Sequence, residues 1–92
     1  MCKGAIIIAT PKVDPKYHPW LIMFGLNVAY YRKLKNLTQE ELSEITGVSR
    51  TTLGHIENAD KFHSTSLATI FKLADALDVP VKTFFDFKDE GL

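Results

Sequence analysis

Along this chain apolar residues recur at intervals of three and four in short stretches, divided by proline, glycine and capping residues, the pattern of a small helical domain. The first helix is expected from Trp20, just after Pro19, to Lys35, with Phe24, Val28 and Tyr31 on one face and Trp20 and Leu21 extending it. Asn36 ends it, because asparagine tolerates the left-handed backbone conformation. A second helix starts at Thr38, whose hydroxyl can accept from the free backbone donors of the first turn while Glu41 reaches back, the capping-box pattern. Leu42 and Ile45 share its apolar face, and Gly47 stops it. Ser49 caps a third helix, in which Leu53 and Ile56 repeat behind Val48 and leave Arg50, Thr51, Gly54 and His55 facing outward.

Beyond Asn58, Ser66 caps a fourth helix with a broad apolar face of Leu67, Ile70, Phe71, Leu73, Ala74 and Leu77. Asp78-Val79-Pro80 breaks it, and Pro80 suits the first turn of a short fifth helix carrying Val81, Phe84 and Phe85. Residues 1–19 form an arm, since Pro11, Pro15 and Pro19 forbid a regular helix across them. Within it Ala5-Ile6-Ile7-Ile8-Ala9 has strong β preference. It is read either as a short strand pairing with a second copy of the chain or as apolar padding without fixed structure.

Helices two and three, joined by so short a glycine-containing turn, must cross steeply, which is the geometry of a DNA-reading helix-turn-helix. The segments Leu37-Thr38-Gln39-Glu40-Glu41-Leu42, Gly47-Val48-Ser49-Arg50 and Ile56-Glu57-Asn58 resemble the XRE (Cro/CI, lambda-repressor-like) regulators, over about Phe24 to Phe85. The resemblance implies an all-α, five-helix lambda-repressor-like domain over residues 20–87, between the arm and a frayed tail at 88–92. It implies a structural ion pair between Arg32 and Glu57, base contacts at Arg50, Thr51, Gly54 and His55, and a dimer face on helices four and five. The chain departs from that pattern at Asn36 and Ala59, where glycine is usual, and in a longer loop before Ser66.

Composition narrows the reading further. Ninety-two residues give room for one domain, without a separate ligand-sensing one, and so small a core makes a dimer plausible on stability grounds. The single cysteine, Cys2, cannot form an intrachain disulfide, and no Cys/His cluster has metal-ligand spacing, so neither metal nor cofactor is expected. The apolar runs Gly4 to Ala9 and Trp20 to Leu26 are too short to span a bilayer and lack secretory-signal organisation, which points to a cytoplasmic protein. Eleven basic and eleven acidic residues cancel, unlike the usual basic nucleic-acid binder. By segment, residues 1–37 carry net +5, residues 38–60 net −4 and residues 61–92 net −1, so the basic charge precedes the reading helices.

The candidate chemistry is recognition. Gln39 can donate to a phosphate at the positive end of helix two, and Ser49 and Thr52 are placed for phosphate at the third helix. Arg50 can hold guanine O6 and N7 with two hydrogen bonds, Thr51 can touch a thymine methyl or base edge, and His55 can donate or accept. Lys33, Lys35 and Lys61 are phosphate candidates. For Lys33 and Lys35, together with Arg32, complementing the negative end of the first helix is itself a sufficient explanation, and Lys61 and His63 need none beyond a surface loop. Lys3, Lys12 and Lys16 either follow the DNA backbone or are simply solvated. Gly54 presents no side chain, so the backbone approaches DNA there or nothing is read.

A twofold dimer would read an inverted repeat with half-sites about 34 Å apart. The acidic reading helices keep a second reading open: a protein-binding module of the same fold, such as an antitoxin with a toxin partner. The scattered histidines His18, His55 and His63 give no catalytic constellation, so an enzyme is not expected.

Overall fold

The computed structural model describes residues 14–58 and 65–87, and these are all helical or connecting segments. A 3-10 turn, Pro15–Tyr17, leads into α1 (His18–Leu34), followed by α2 (Gln39–Thr46), α3 (Arg50–Glu57), α4 (Leu67–Leu77) and a 3-10 helix, Val81–Phe85. The expected strand at residues 5–9, Lys3, Lys12, Lys61, His63, Ala59 and the tail at 88–92 lie outside the described residues.

The first helix begins at His18 rather than Trp20. Pro19 lies in its first turn, where the missing N–H would have had no intrahelical acceptor, so this proline belongs to the helix start rather than to the segment before it. At the other end Lys35 caps the helix, one residue earlier than expected, and Asn36 takes φ 59°. That left-handed residue lets the Leu37 N–H reach back to the Arg32 carbonyl at 3.2 Å and turns the chain into α2.

Both helices of the central pair start on closed caps. Thr38 Oγ1 accepts from the Glu41 N–H at 3.0 Å, while the Thr38 N–H donates to Glu41 Oε1 at 2.8 Å. Ser49 Oγ accepts from the Thr52 N–H at 3.0 Å. Gly47 occupies the left-handed region at φ 79°, which a side chain would strain. Thr46 adds a tie that the periodicity did not reveal: its hydroxyl donates to the Leu42 carbonyl at 2.7 Å and accepts from the Val48 N–H at 3.1 Å.

The core draws on every α-helix. Val28, Leu42, Leu53, Leu73, Leu77 and Phe84 are fully buried, with Phe24, Val48, Ile56, Ile70 and Ala74 around them. Phe24 meets Phe84 edge-on at 5.8 Å and stacks on Phe85 at 5.3 Å. Asn27 Nδ2 donates to the Phe84 carbonyl at 2.9 Å, anchoring the last turn to α1.

Two expectations are corrected by the structure. Ile45 is 58 % exposed: a two-turn helix wedged against α3 and α4 buries one narrow line, Leu42 fills it, and Ile45 lies about 60° round the helix. On α4, Ile70, Leu73, Ala74 and Leu77 are buried while Leu67 and Phe71 are exposed, so its apolar face is wider than the described core uses, and Trp20 and Phe85 are exposed as well. The fifth helix is a 3-10 helix. Its five residues close three-residue bonds such as Thr83 N–H to Pro80 O at 2.9 Å, giving four α-helices rather than five among the described residues.

Candidate nucleic-acid interface

The site is held from beneath by Arg32. Its Nε donates to Glu57 Oε2 at 2.8 Å, its Nη2 to Glu57 Oε1 at 2.9 Å and its Nη1 to the Leu37 carbonyl at 2.6 Å. The two side chains are only 11 % and 6 % exposed. One guanidinium therefore ties α1, the link into α2 and the last residue of α3. The hydrogen bonds to Glu57 raise the affinity of Arg32 for its proton against the opposing effect of burial.

Gln39 joins this network: its Nε2 donates to Glu57 Oε1 at 2.9 Å. The sequence placed that amide on a phosphate. In the structure one N–H of that amide is given to Glu57, so Gln39 braces the start of α2 against the end of α3, while the second N–H of the amide takes no part in that bond. Arg32, with all three nitrogens engaged and its side chain covered, is part of the same internal brace.

Above the brace lies an open concavity of about 640 Å³. Arg50, Thr51, Gly54 and His55 of α3 form one wall, Leu26, Ala29 and Lys33 of α1 the other, and Gln39 closes one end. The four residues expected to meet bases are thus brought together on one face, and Lys33 stands across from them. Lys35 is not in this group. Its Nζ lies 3.9 Å from Asp78 Oδ2, at the residue that caps the end of α4. Ser49 and Thr52 lie at the start of α3, where the Ser49 hydroxyl donates to Thr52 Oγ1 at 2.8 Å.

Two features of the wall escaped sequence reading. Arg50 Nε donates to Glu40 Oε2 at 3.1 Å, an ion pair from α3 to α2. The Glu40 carboxyl is held below the usual carboxylate range, first by its own backbone N–H at the open end of α2 and then by Arg50. In addition, a Cβ built at Gly54 would stand 3.1 Å from Arg50 Nη1. Gly54 therefore gives the guanidinium room to lie along the helix. Gly54 stands four residues after Arg50 on the same helix, whereas Glu40 is brought to Arg50 only by the placement of α2 against α3.

The sequence profile of the helix-turn-helix family matches residues 28–84, a span that holds α2, α3, α4 and most of the core. The chain belongs to the XRE-type helix-turn-helix family. Among relatives of this helix-turn-helix protein, the control protein C.SmaI of Serratia marcescens is 42 % identical over 55 residues, 60 % of this chain and 63 % of that protein. The chain thus spans less than two thirds of the length of C.SmaI. An uncharacterised HTH-type transcriptional regulator of Methanocaldococcus jannaschii, MJ0272, is 41 % identical over 61 residues, 66 % of this chain and 89 % of that protein. The crystal structure of the restriction-modification controller protein C.AhdI from Aeromonas hydrophila superposes with a TM-score of 0.65 at 35 % identity, covering 71 % of this chain and 96 % of that one. Among the described residues no helix is long and apolar enough to cross a membrane.

Proposed function

We propose that this helix-turn-helix protein is a sequence-specific double-stranded DNA-binding transcriptional regulator that inserts α3 into the major groove. The observation that carries the reading is the grouping of Arg50, Thr51, Gly54 and His55 on one outward wall, while the opposite side of α3, Leu53 and Ile56, is buried. Arg50 specifies by bonding guanine, Thr51 and His55 read neighbouring edges, and Lys33, with Ser49 and Thr52 at the helix start, meets phosphate. Relatives named as control and controller proteins support a role in regulation.

The protein acts as a homodimer on an inverted repeat, because one such unit reads only a few base pairs. The exposed Leu67 and Phe71 of α4 and Phe85 beyond it supply an apolar surface suited to a second copy. The role is recognition without catalysis and without a cofactor, in the cytoplasm.

Replacing Arg50 by alanine is expected to erase guanine preference at one position per half-site, a loss of roughly 1–3 kcal/mol of discrimination for each. Mobility-shift titrations on matched and mismatched duplexes read that loss, and sedimentation equilibrium checks that the dimer survives. An unchanged preference removes Arg50 from the reading wall. A second reading, a protein-binding module such as an antitoxin that holds a toxin, is favoured by one observation: Glu40 already neutralises Arg50. That reading gains if the Arg50→Ala protein and the unaltered one bind all duplexes alike.

A further inference from the structure

We propose that Glu40 is a specificity-determining residue of this protein: it holds the Arg50 guanidinium by its Nε edge, so that both Nη groups face guanine O6 and N7 together, and it turns the arginine away from phosphate. The inference rests on the DNA-reading role proposed above and adds to it a positioning residue on the neighbouring helix.

Three observations support it. Glu40 stands in the first turn of α2 and Arg50 at the first position of α3, and the packing of the two helices brings the side chains together. Their contact is through Nε alone, at 3.1 Å, and among the described residues the guanidinium makes no other hydrogen bond. The free part of the fork is therefore the pair of Nη groups that a guanine edge needs. Finally, Gly54 leaves space beside Nη1 that a Cβ, standing 3.1 Å away, would narrow, so the guanidinium has room next to α3.

The depressed proton affinity of the Glu40 carboxyl agrees with a carboxylate that stays charged beside the arginine.

The consequence follows from charge. An arginine without a neighbour is a mobile cation that any phosphate attracts, so it adds affinity without sequence preference. With Glu40 attached, the pair is neutral, and an approaching phosphate is repelled by the carboxylate. Guanine offers two neutral acceptors, which the fixed Nη groups meet with their rotamers already set. Glu40 thus lowers binding to arbitrary DNA more than binding to a site with guanine in the right place.

The test is a selection from duplexes with about 20 randomised base pairs, run with the unaltered protein and with Glu40→Gln, Arg50→Ala and the double variant, then affinity titrations on the enriched duplex and its single-base variants. Glu40→Gln should lose at least about fivefold of the guanine preference at the position that depends on Arg50, bind scrambled duplex more tightly, and show a steeper salt dependence by about one phosphate contact per subunit. In the Arg50→Ala background the same change should leave base preference untouched. Its thermal midpoint should stay close to that of the unaltered protein, since the pair is solvent-exposed.

Guanine preference that is unchanged in Glu40→Gln, or that still changes when Arg50 is absent, overturns the role of Glu40 while leaving DNA reading intact. An unaltered protein that enriches no sequence overturns DNA reading itself, and this proposal with it.

Discussion

Glu57→Ala is expected to lower the free energy of unfolding by about 3–5 kcal/mol, the cost of leaving one charge of a covered ion pair without its partner. The alanine strands Arg32, whose Nε and Nη2 lose both acceptors in a site where the side chain is 11 % exposed, and it removes the acceptor of the Gln39 amide as well. Single domains of this size have about 5–15 kcal/mol in hand, so the variant should be partly unfolded at modest temperature. Urea titration reads the effect as a fall in midpoint at similar slope. Replacing both partners, Arg32→Met with Glu57→Leu, should recover most of the loss, because no buried charge then remains. A Glu57→Ala loss below about 1 kcal/mol would mean that water reaches the arginine as it reaches surface pairs.

Gly25→Ala is the second large effect, and its cause is steric. Gly25 lies in α1 where that helix crosses the end of α3, and a Cβ there would overlap the backbone carbonyl oxygen of Ile56 and press on Ile56 C at 3.1 Å. Neither atom can swing aside as a side chain end can. To admit the methyl, α1 must separate from α3, which opens the packing of Phe24 and Val28 and stretches the Arg32–Glu57 bonds one to two turns further on. Against this, alanine gains about 1 kcal/mol in helix propensity. The expected net loss is about 3 kcal/mol, the upper part of the range for overpacking, or a midpoint lower by roughly 12–24 °C in a melt followed by circular dichroism. A melt at or above the unaltered midpoint would show that the two helices are not in backbone contact.

These two residues also mark where sequence reading reached and where it stopped. Caps are local, so Thr38 with Glu41, Ser49 with Thr52, Ser66 with Thr69 and the left-handed Asn36 and Gly47 were legible from spacing alone. So was the inward side of α3, because Leu53 and Ile56 follow Val48 at helical intervals. The pairing of Arg32 with Glu57 came from the family resemblance, since nothing in periodicity links residues so far apart. Gly25 was passed over for the same reason: the atom that forbids a side chain there belongs to another helix. Gln39 was assigned to phosphate from its place at a helix start, and its additional hydrogen bond to the distant Glu57 could not be read from that place.

Apolar spacing by itself does not give burial. It says which residues share a face, and the number of neighbouring helices decides how wide that face is. Leu42 is covered and Ile45 is not, just as Ile70 and Leu73 are covered while Leu67 and Phe71 are open. Pro19 was read as a barrier before α1 although a proline is compatible with the first turn of a helix, which moved the expected start by two residues. In the reading wall, the outward set Arg50, Thr51, Gly54 and His55 followed from periodicity and resemblance together. The attachment of Arg50 to Glu40 did not, because it depends on the crossing of α2 with α3.

Sequence-specific DNA binding is tested most directly by fluorescence anisotropy with the purified protein, comparing the DNA upstream of its own coding sequence with a scrambled duplex of equal length at two salt concentrations. Binding to the upstream DNA should be tighter, and the preference should survive the higher salt, because base contacts, unlike phosphate contacts, do not release counterions. Equal binding to both duplexes that disappears together as salt rises would contradict sequence-specific binding to that DNA and favour the protein-binding reading of the same fold.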